Sequence, residues 1–187
     1  MSKSAKFDAS PPKAESLIKR VKEAAPKGPP PVHLWNPPFS GDLDMQIKRD
    51  GTWFYEGTPI KRPELVRLFA SILKLEDGQY FLVTPVEKVG LTVEDAPFIA
   101  IDFDVRDDAL HFETNVGDRV IANTDHQIRV EEDEVTGEPS PYIHIRRGLE
   151  ALIYRKSFYR LADIGEIDGD KFVVRSAGQT FVIGPAA

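Results

Sequence analysis

The chain has 187 residues, a formal net charge of −6 and no cysteine. That length suits one large domain or two small ones, and the acid excess argues against broad affinity for a nucleic-acid polymer or an anionic membrane. A disulfide framework, Cys-ligated zinc and a thiol nucleophile are excluded; no apolar run approaches the ~20 residues of a membrane span, and MSKSAKFDAS lacks a signal-peptide core, so a cytoplasmic protein is expected.

In chain order, a polar tail ending in Pro11-Pro12 precedes AESLIKRVKEAA, where Leu17, Ile18 and Val21 form one helical stripe. PKGPPPVHLWNPPFSG then runs extended because its prolines fix φ and remove donors, with Leu34, Trp35 and Phe39 as expected apolar anchors. Residues 1–40 are thus read as a helix plus a Pro-rich arm. Residues 41–95 form a first α+β unit: Asp50-Gly51 turns a hairpin between LDMQIK and TWFYE, and Pro63 opens a helix carrying Leu65, Leu68, Phe69 and Ile72. Asp77-Gly78 introduces the strand YFLVTPV, EKVG turns, and LTVED follows as another strand.

Residues 96–187 form a second, β-rich unit. FIAIDFDV alternates, LHFET and RVIAN flank the turn-prone NVGD, HQIRVE precedes an acidic loop, and YIHI leads through Arg146-Arg147-Gly148 to an expected helix, LEALIYRK. SFYRLADIGEI fits either a continuation of that helix or a strand, and Asp168-Gly169 introduces a final hairpin of FVVRSA and TFVIG. The halves share an order: Gln46-Ile47-Lys48 answers Gln127-Ile128-Arg129, Arg62 answers Arg146, Leu65, Leu68 and Phe69 answer Leu149, Leu152 and Ile153, and Asp77-Gly78 answers Asp168-Gly169. A degenerate duplication of a strand, strand, helix, hairpin unit accounts for this.

The strings GDLDMQIKRDGTWFYEGTPIKRPELVRLF, YFLVTPVEKVGLTVEDAPF and RRGLEALIYRKSFYRL resemble the bacterial domain-of-unknown-function 1285 family, over roughly residues 35 to 184. The resemblance implies an α+β fold of two tandem related units, the C-terminal one superficially pleckstrin-homology-like, with a nucleotide-like ligand proposed at their junction and no established reaction.

Catalytic signatures are absent, which favours binding over turnover, with no cofactor and no metal expected. Asp42, Asp44 and Asp50 fail as a calcium loop because Ile47 and Trp53 stand where Gly and a bidentate Glu belong. The Asp102-x-Asp104 pair has the look of a phosphoaspartyl phosphatase, but Val105-Arg106 follows it and solvent-facing carboxylates on an edge strand explain it as well. His33, His111, His126 and His144 lack ligand spacing, and Glu131–Glu134 read as a solvated loop.

An arginine before each expected helix sits where a helix start favours an acid. Arg62 and Arg146 or Arg147 are therefore candidate anion contacts, Lys88 is a further phosphate contact, and Trp53, Tyr55 and Tyr154 are candidate stacking surfaces. Ion pairing with Glu56, Glu64 or Glu150, and core packing of the aromatics, are the alternatives. The expected function is a regulatory or signalling protein binding a phosphate-bearing, nucleotide-like small molecule. A protein-interaction scaffold using the Pro-rich arm or strand edges is second, and an unrecognised hydrolase third.

Overall fold

The computed structural model describes residues 13–24 and 27–187, so the tail before Lys13 lies outside the described residues. Helix α1 (Ala14–Ala24) buries Leu17 and Val21, four positions apart on one face. Glu15 in its first turn and Lys22 in its last complement the helix dipole. It is further held by an Arg20–Glu87 ion pair and by its first backbone N–H, Ala14, which donates to Tyr55 Oη at 3.4 Å. In the arm, Val32 is the buried anchor, whereas Leu34 and Phe39 are more than half exposed. The reason is a 3₁₀ turn over Val32–Leu34, which rotates Leu34 outward; Lys74 Nζ then secures the arm at Trp35 O and Asn36 Oδ1, both 3.3 Å.

Three strands, β1 (Phe39–Ile47), β2 (Trp53–Tyr55) and β3 (Thr58–Pro59), precede helix α2 (Pro63–Ser71). Three more follow it: β4 (Leu73–Glu76), β5 (Gln79–Val83) and β6 (Lys88–Val93). The two three-strand meanders join through a parallel β1·β6 seam into one sheet, ordered β3-β2-β1-β6-β5-β4. Both turn glycines sit where expected: Gly51 (φ 88°) closes the β1–β2 hairpin and Gly78 (φ 76°) the β4–β5 hairpin. The turn before β6 falls at Thr84–Glu87, where the Thr84 hydroxyl accepts the Glu87 N–H, so Lys88 opens the strand instead of occupying the turn.

The second sheet repeats that plan. Meanders β7 (Phe98–Arg106), β8 (Ala109–Thr114), β9 (Arg119–Ile121) and β10 (Ile128–Glu132), β11 (Pro139–Arg146), β12 (Leu149–Ile153) join through a parallel β7·β12 seam, giving β10-β11-β12-β7-β8-β9. Helix α3 (Arg155–Ile164) follows, then a separate sheet of β13 (Glu166–Asp168), β14 (Lys171–Ser176) and β15 (Gln179–Pro185). The protein is α+β, with two tandem six-stranded sheets of one topology.

The structure corrects the expected helix LEALIYRK. Residues 149–153 are strand β12, with Leu149, Ala151 and Ile153 buried in alternation, and the helix begins only at Arg155. Arg147 and Gly148 (φ 45° and 78°) form a tight two-residue turn of the β11–β12 hairpin and start no helix. The repeat is accordingly re-phased. Helix starts Pro63 and Arg155 are 92 positions apart, close to the 91 separating Asp77 from Asp168, whereas Arg62 and Arg146 are only 84 apart. Arg62 therefore answers Tyr154, not Arg146. Nor is β7 an edge strand: it lies between β12 and β8, and Asp102 and Asp104 occupy its exposed face.

Candidate functional site

Residues of the first unit meet the second along α2 and the β1–β2 hairpin. Arg146 binds this junction together: its guanidinium pairs with Asp118, donates to the α2 carbonyl of Ala70 at 2.9 Å and lies 5.0 Å from the Phe98 ring centroid. A methyl group on Gly51 would come 2.7 Å from Ile99 Cγ1, so the hairpin turn packs directly on β7. Arg49, one residue before the turn pair, reaches Ser140 Oγ at 2.9 Å and places Nη1 2.8 Å from Asp95 Oδ2, a charge contact without hydrogen-bond alignment. The other oxygen of Asp95 accepts the Tyr142 hydroxyl at 2.7 Å. Burial first, and then that hydrogen bond beside the Asp95 charge, push the Tyr142 phenol up to about 12.

These contacts separate most of the expected site residues. Arg62 is exposed at the start of α2 and makes no ion pair among the described residues, while Arg146 sits at the other end of that helix, roughly 12 Å of helical rise away. Glu64 supplies the acid that the first turn of α2 favours. Arg147 is exposed on the hairpin turn, and desolvation followed by the neighbouring Arg146 charge lowers its pKa. Lys88 is taken by Glu76 (2.9 Å) and lies over the Phe81 ring. Trp53 is buried and stacked on Phe69, with Nε1 unpartnered, and Tyr55 is partly buried beneath α1, so both serve packing.

Tyr154 alone of the expected residues opens onto the junction groove. This groove, about 750 Å³, has an apolar floor from Ile99, Leu152, Ile153, Pro139 and Pro141. Tyr154, Phe158 and Tyr159 from the start of α3 form one wall; Arg49 and Asp50 from the β1–β2 hairpin, with Asp133, Thr136 and Glu138 from the β10–β11 loop, form the rim. Tyr154 and Tyr159 are 53% and 56% exposed and stand next to Phe158, so their ring faces are open to the groove. The α3 start is fixed on β7 by Tyr154 N–H to Ala100 O (3.0 Å) and Ser157 Oγ–H to Ile101 O (3.2 Å). Its first turn carries no acid, and Arg155 donates from Nε to Tyr159 Oη at 2.9 Å. The arginine anomaly expected at Arg146 thus exists nine residues later, at Arg155. Sequence reasoning missed Arg49, Asp133 and Glu138 because turn and loop charges read as solvated surface; the one signal was the helix phase, whose correction moves the cation onto Arg155.

A second groove, about 930 Å³, lies between β10 and β15 and is lined by Ile128, Arg129, Val130, Thr180, Phe181 and Val182 among others. Neither strand has a ladder partner on that side. Arg129 there is held by Glu150 (2.7 and 2.6 Å) and Glu131. Among the described residues no cluster of three metal-ligating side chains occurs, and no helix is long and apolar enough to cross a membrane.

The N-terminal domain of DUF1285, a domain of unknown function, matches residues 30–96, and the C-terminal domain of the DUF1285 protein of unknown function matches residues 97–183. The crystal structure of a DUF1285 family protein from Silicibacter pomeroyi DSS-3 is 55% identical, with a TM-score of 0.85, covering 91% of this chain and 95% of that one. A second, from Shewanella baltica OS155, is 32% identical with a TM-score of 0.53 over 65% of this chain and 91% of that one. No curated protein matches the chain. With both family domains matched in tandem and a close structural relative over nearly its whole length, the chain belongs to the DUF1285 family.

Proposed function

We propose that this protein is a ligand-binding regulatory module whose small-molecule site is the groove at the junction of its two units. The observation that carries the reading is the pair of half-exposed tyrosines, Tyr154 and Tyr159, flanking Phe158 over an apolar floor built from three strands, β7, β11 and β12. A concave apolar surface with a few convergent polar groups is the usual form of a small-molecule site, and an aromatic wall favours a flat or apolar ligand body. The groove draws on both units, so occupancy is coupled to their packing through Arg49, which both lines it and holds Ser140 and Asp95. A nucleotide's base suits the wall. Its phosphate fits less well: Arg146 and Lys88 are engaged elsewhere, Arg62 is remote, and Arg155 stands among the rim carboxylates Asp50, Asp133 and Glu138. Binding is favoured over turnover because the Asp-x-Asp pair of β7 has Asp102 engaged by Arg160.

Thermal-shift screening of nucleotides and small aromatic amines, with Tyr154→Ala and Arg62→Ala beside the parent chain, tests this. A ligand-induced rise in melting temperature that Tyr154→Ala abolishes and Arg62→Ala preserves supports the groove. A rise insensitive to Tyr154→Ala counts against it.

A scaffold role is the second reading, favoured by β10 and β15, edge strands of their sheets with no ladder partner on their outer side. Pull-down of a partner that is lost with Val182→Pro would support it.

A further inference from the structure

From the charges around the junction groove we infer that its ligand carries a positive charge: an organic cation with an apolar or aromatic body, such as a protonated or quaternary amine. The inference rests on the groove being the binding site and concerns the chemistry of what fills it. Three carboxylates, Asp50, Asp133 and Glu138, stand on the rim against two guanidiniums, Arg49 and Arg155. Arg49 is paired with Asp95, which leaves Arg155 as the remaining lining cation against three lining carboxylates, with Lys48 near Asp50 outside the lining.

Two of the carboxylates are held ionised. The Thr52 backbone N–H, 2.9 Å from Asp50 Oδ1, keeps the Asp50 carboxyl below its usual range, and the backbone N–H groups of Thr136 (2.8 Å) and Val135 (2.9 Å) do the same at Asp133 Oδ1. Both carboxylates are exposed on the rim, so their charge is presented at the mouth of the groove. The Glu138 carboxylate lies within electrostatic reach of Arg155 and offsets it. The start of α3 adds roughly half a positive charge, too little to reverse the balance.

The aromatic wall already holds a cation. The Arg155 guanidinium carbon lies 5.8 Å from the Tyr159 ring centroid, within cation–π range, while among the described residues no cation lies over the rings of Tyr154 or Phe158. A ligand cation in the groove would have aromatic rings in its wall and the Asp133 and Asp50 carboxylates on its rim. A phosphate there would meet the same groups as repulsion.

The test is isothermal titration calorimetry of the full chain with benzyltrimethylammonium chloride and, separately, phenyl phosphate, matched in ring size and opposite in charge. The expected result is binding of the ammonium probe alone, weakened about fivefold by either Asp133→Asn or Glu138→Gln and weakened by added salt. Phenyl phosphate binding in preference to the ammonium probe, with loss on Arg155→Gln, would overturn the cation inference and leave the groove intact as a ligand site. Failure of both probes would overturn the groove reading and the inference with it. Asp133 and Glu138 are exposed loop residues, so both variants retain the fold, as an unchanged melting temperature would verify.

Discussion

The first half of the molecule runs meander, helix, meander; the second runs the same order from β10 onward but carries a further meander, β7–β9, ahead of it, and the two close differently. In the first, β1 and β6 zip into a parallel ladder, and α2 follows the edge strand β3. In the second, β12 pairs with β7, so β13–β15 form a sheet of their own, and the equivalent seam, β10 beside β15, stays unpaired around a groove. The same switch places α3 after an interior strand, with its first turn lining one groove together with the β1–β2 hairpin. A change of pairing partner, with no new element type, thus creates both grooves.

That contrast can be broken most severely at the closed seam. Ile47 is fully buried and pairs with Val93 across it, so Ile47→Ala should cost about 3 kcal/mol from lost burial and an unfilled cavity. Val182, 44% exposed on the open side, should tolerate alanine within about 0.5 kcal/mol. Urea unfolding of both variants measures the difference, and equal losses would refute it.

Between the units, Arg146→Ala removes an ion pair, a bond to the end of α2 and an aromatic contact in a partly buried site, an expected loss of about 2 kcal/mol. Arg62→Ala, at the position once matched to it, should change stability by less than about 0.5 kcal/mol. Chemical denaturation of this pair separates a junction clamp from a solvated cap.

A smaller loss than at Ile47 or Arg146 is expected at Tyr142, where Tyr142→Phe should cost about 1 kcal/mol at neutral pH by leaving Asp95 with Arg49 alone. Because the folded phenol titrates near 12 and the unfolded one near 10, its stabilisation is complete below pH 10 and is lost as pH rises from 10 through 12. Absorbance at the phenolate band of the parent and Tyr142→Phe should differ by one late-titrating tyrosine.

Much of the fold was legible in the sequence. Helices α1 and α2 and the hairpins at Asp50-Gly51, Asp77-Gly78 and Asp168-Gly169 follow from apolar spacing and from glycines at positive φ. LEALI misled because five residues with apolar positions 149, 152 and 153 fit a helix as readily as positions 149, 151 and 153 fit a strand; pairing with β7 decides, and that is a tertiary event. Gly148, read as preceding a helix, was instead half of a two-residue turn. The duplication was visible, but its middle was out of phase by eight residues, which put the cation at Arg146 and hid Arg155. Tyr154 was legible as an aromatic near a helix; Asp50, Asp133 and Glu138 were not, because only folding brings the β1–β2 turn and the β10–β11 loop to one rim.

Chemical-shift mapping by ¹H–¹⁵N spectroscopy during titration with benzyltrimethylammonium addresses the groove most directly. Shifts concentrated at Asp50, Ile99, Thr136, Tyr154 and Phe158, with β10 and β15 silent, are predicted. Shifts confined to the β10 and β15 edges, or to the turn around Arg62, would contradict the assignment of the junction groove as the binding site.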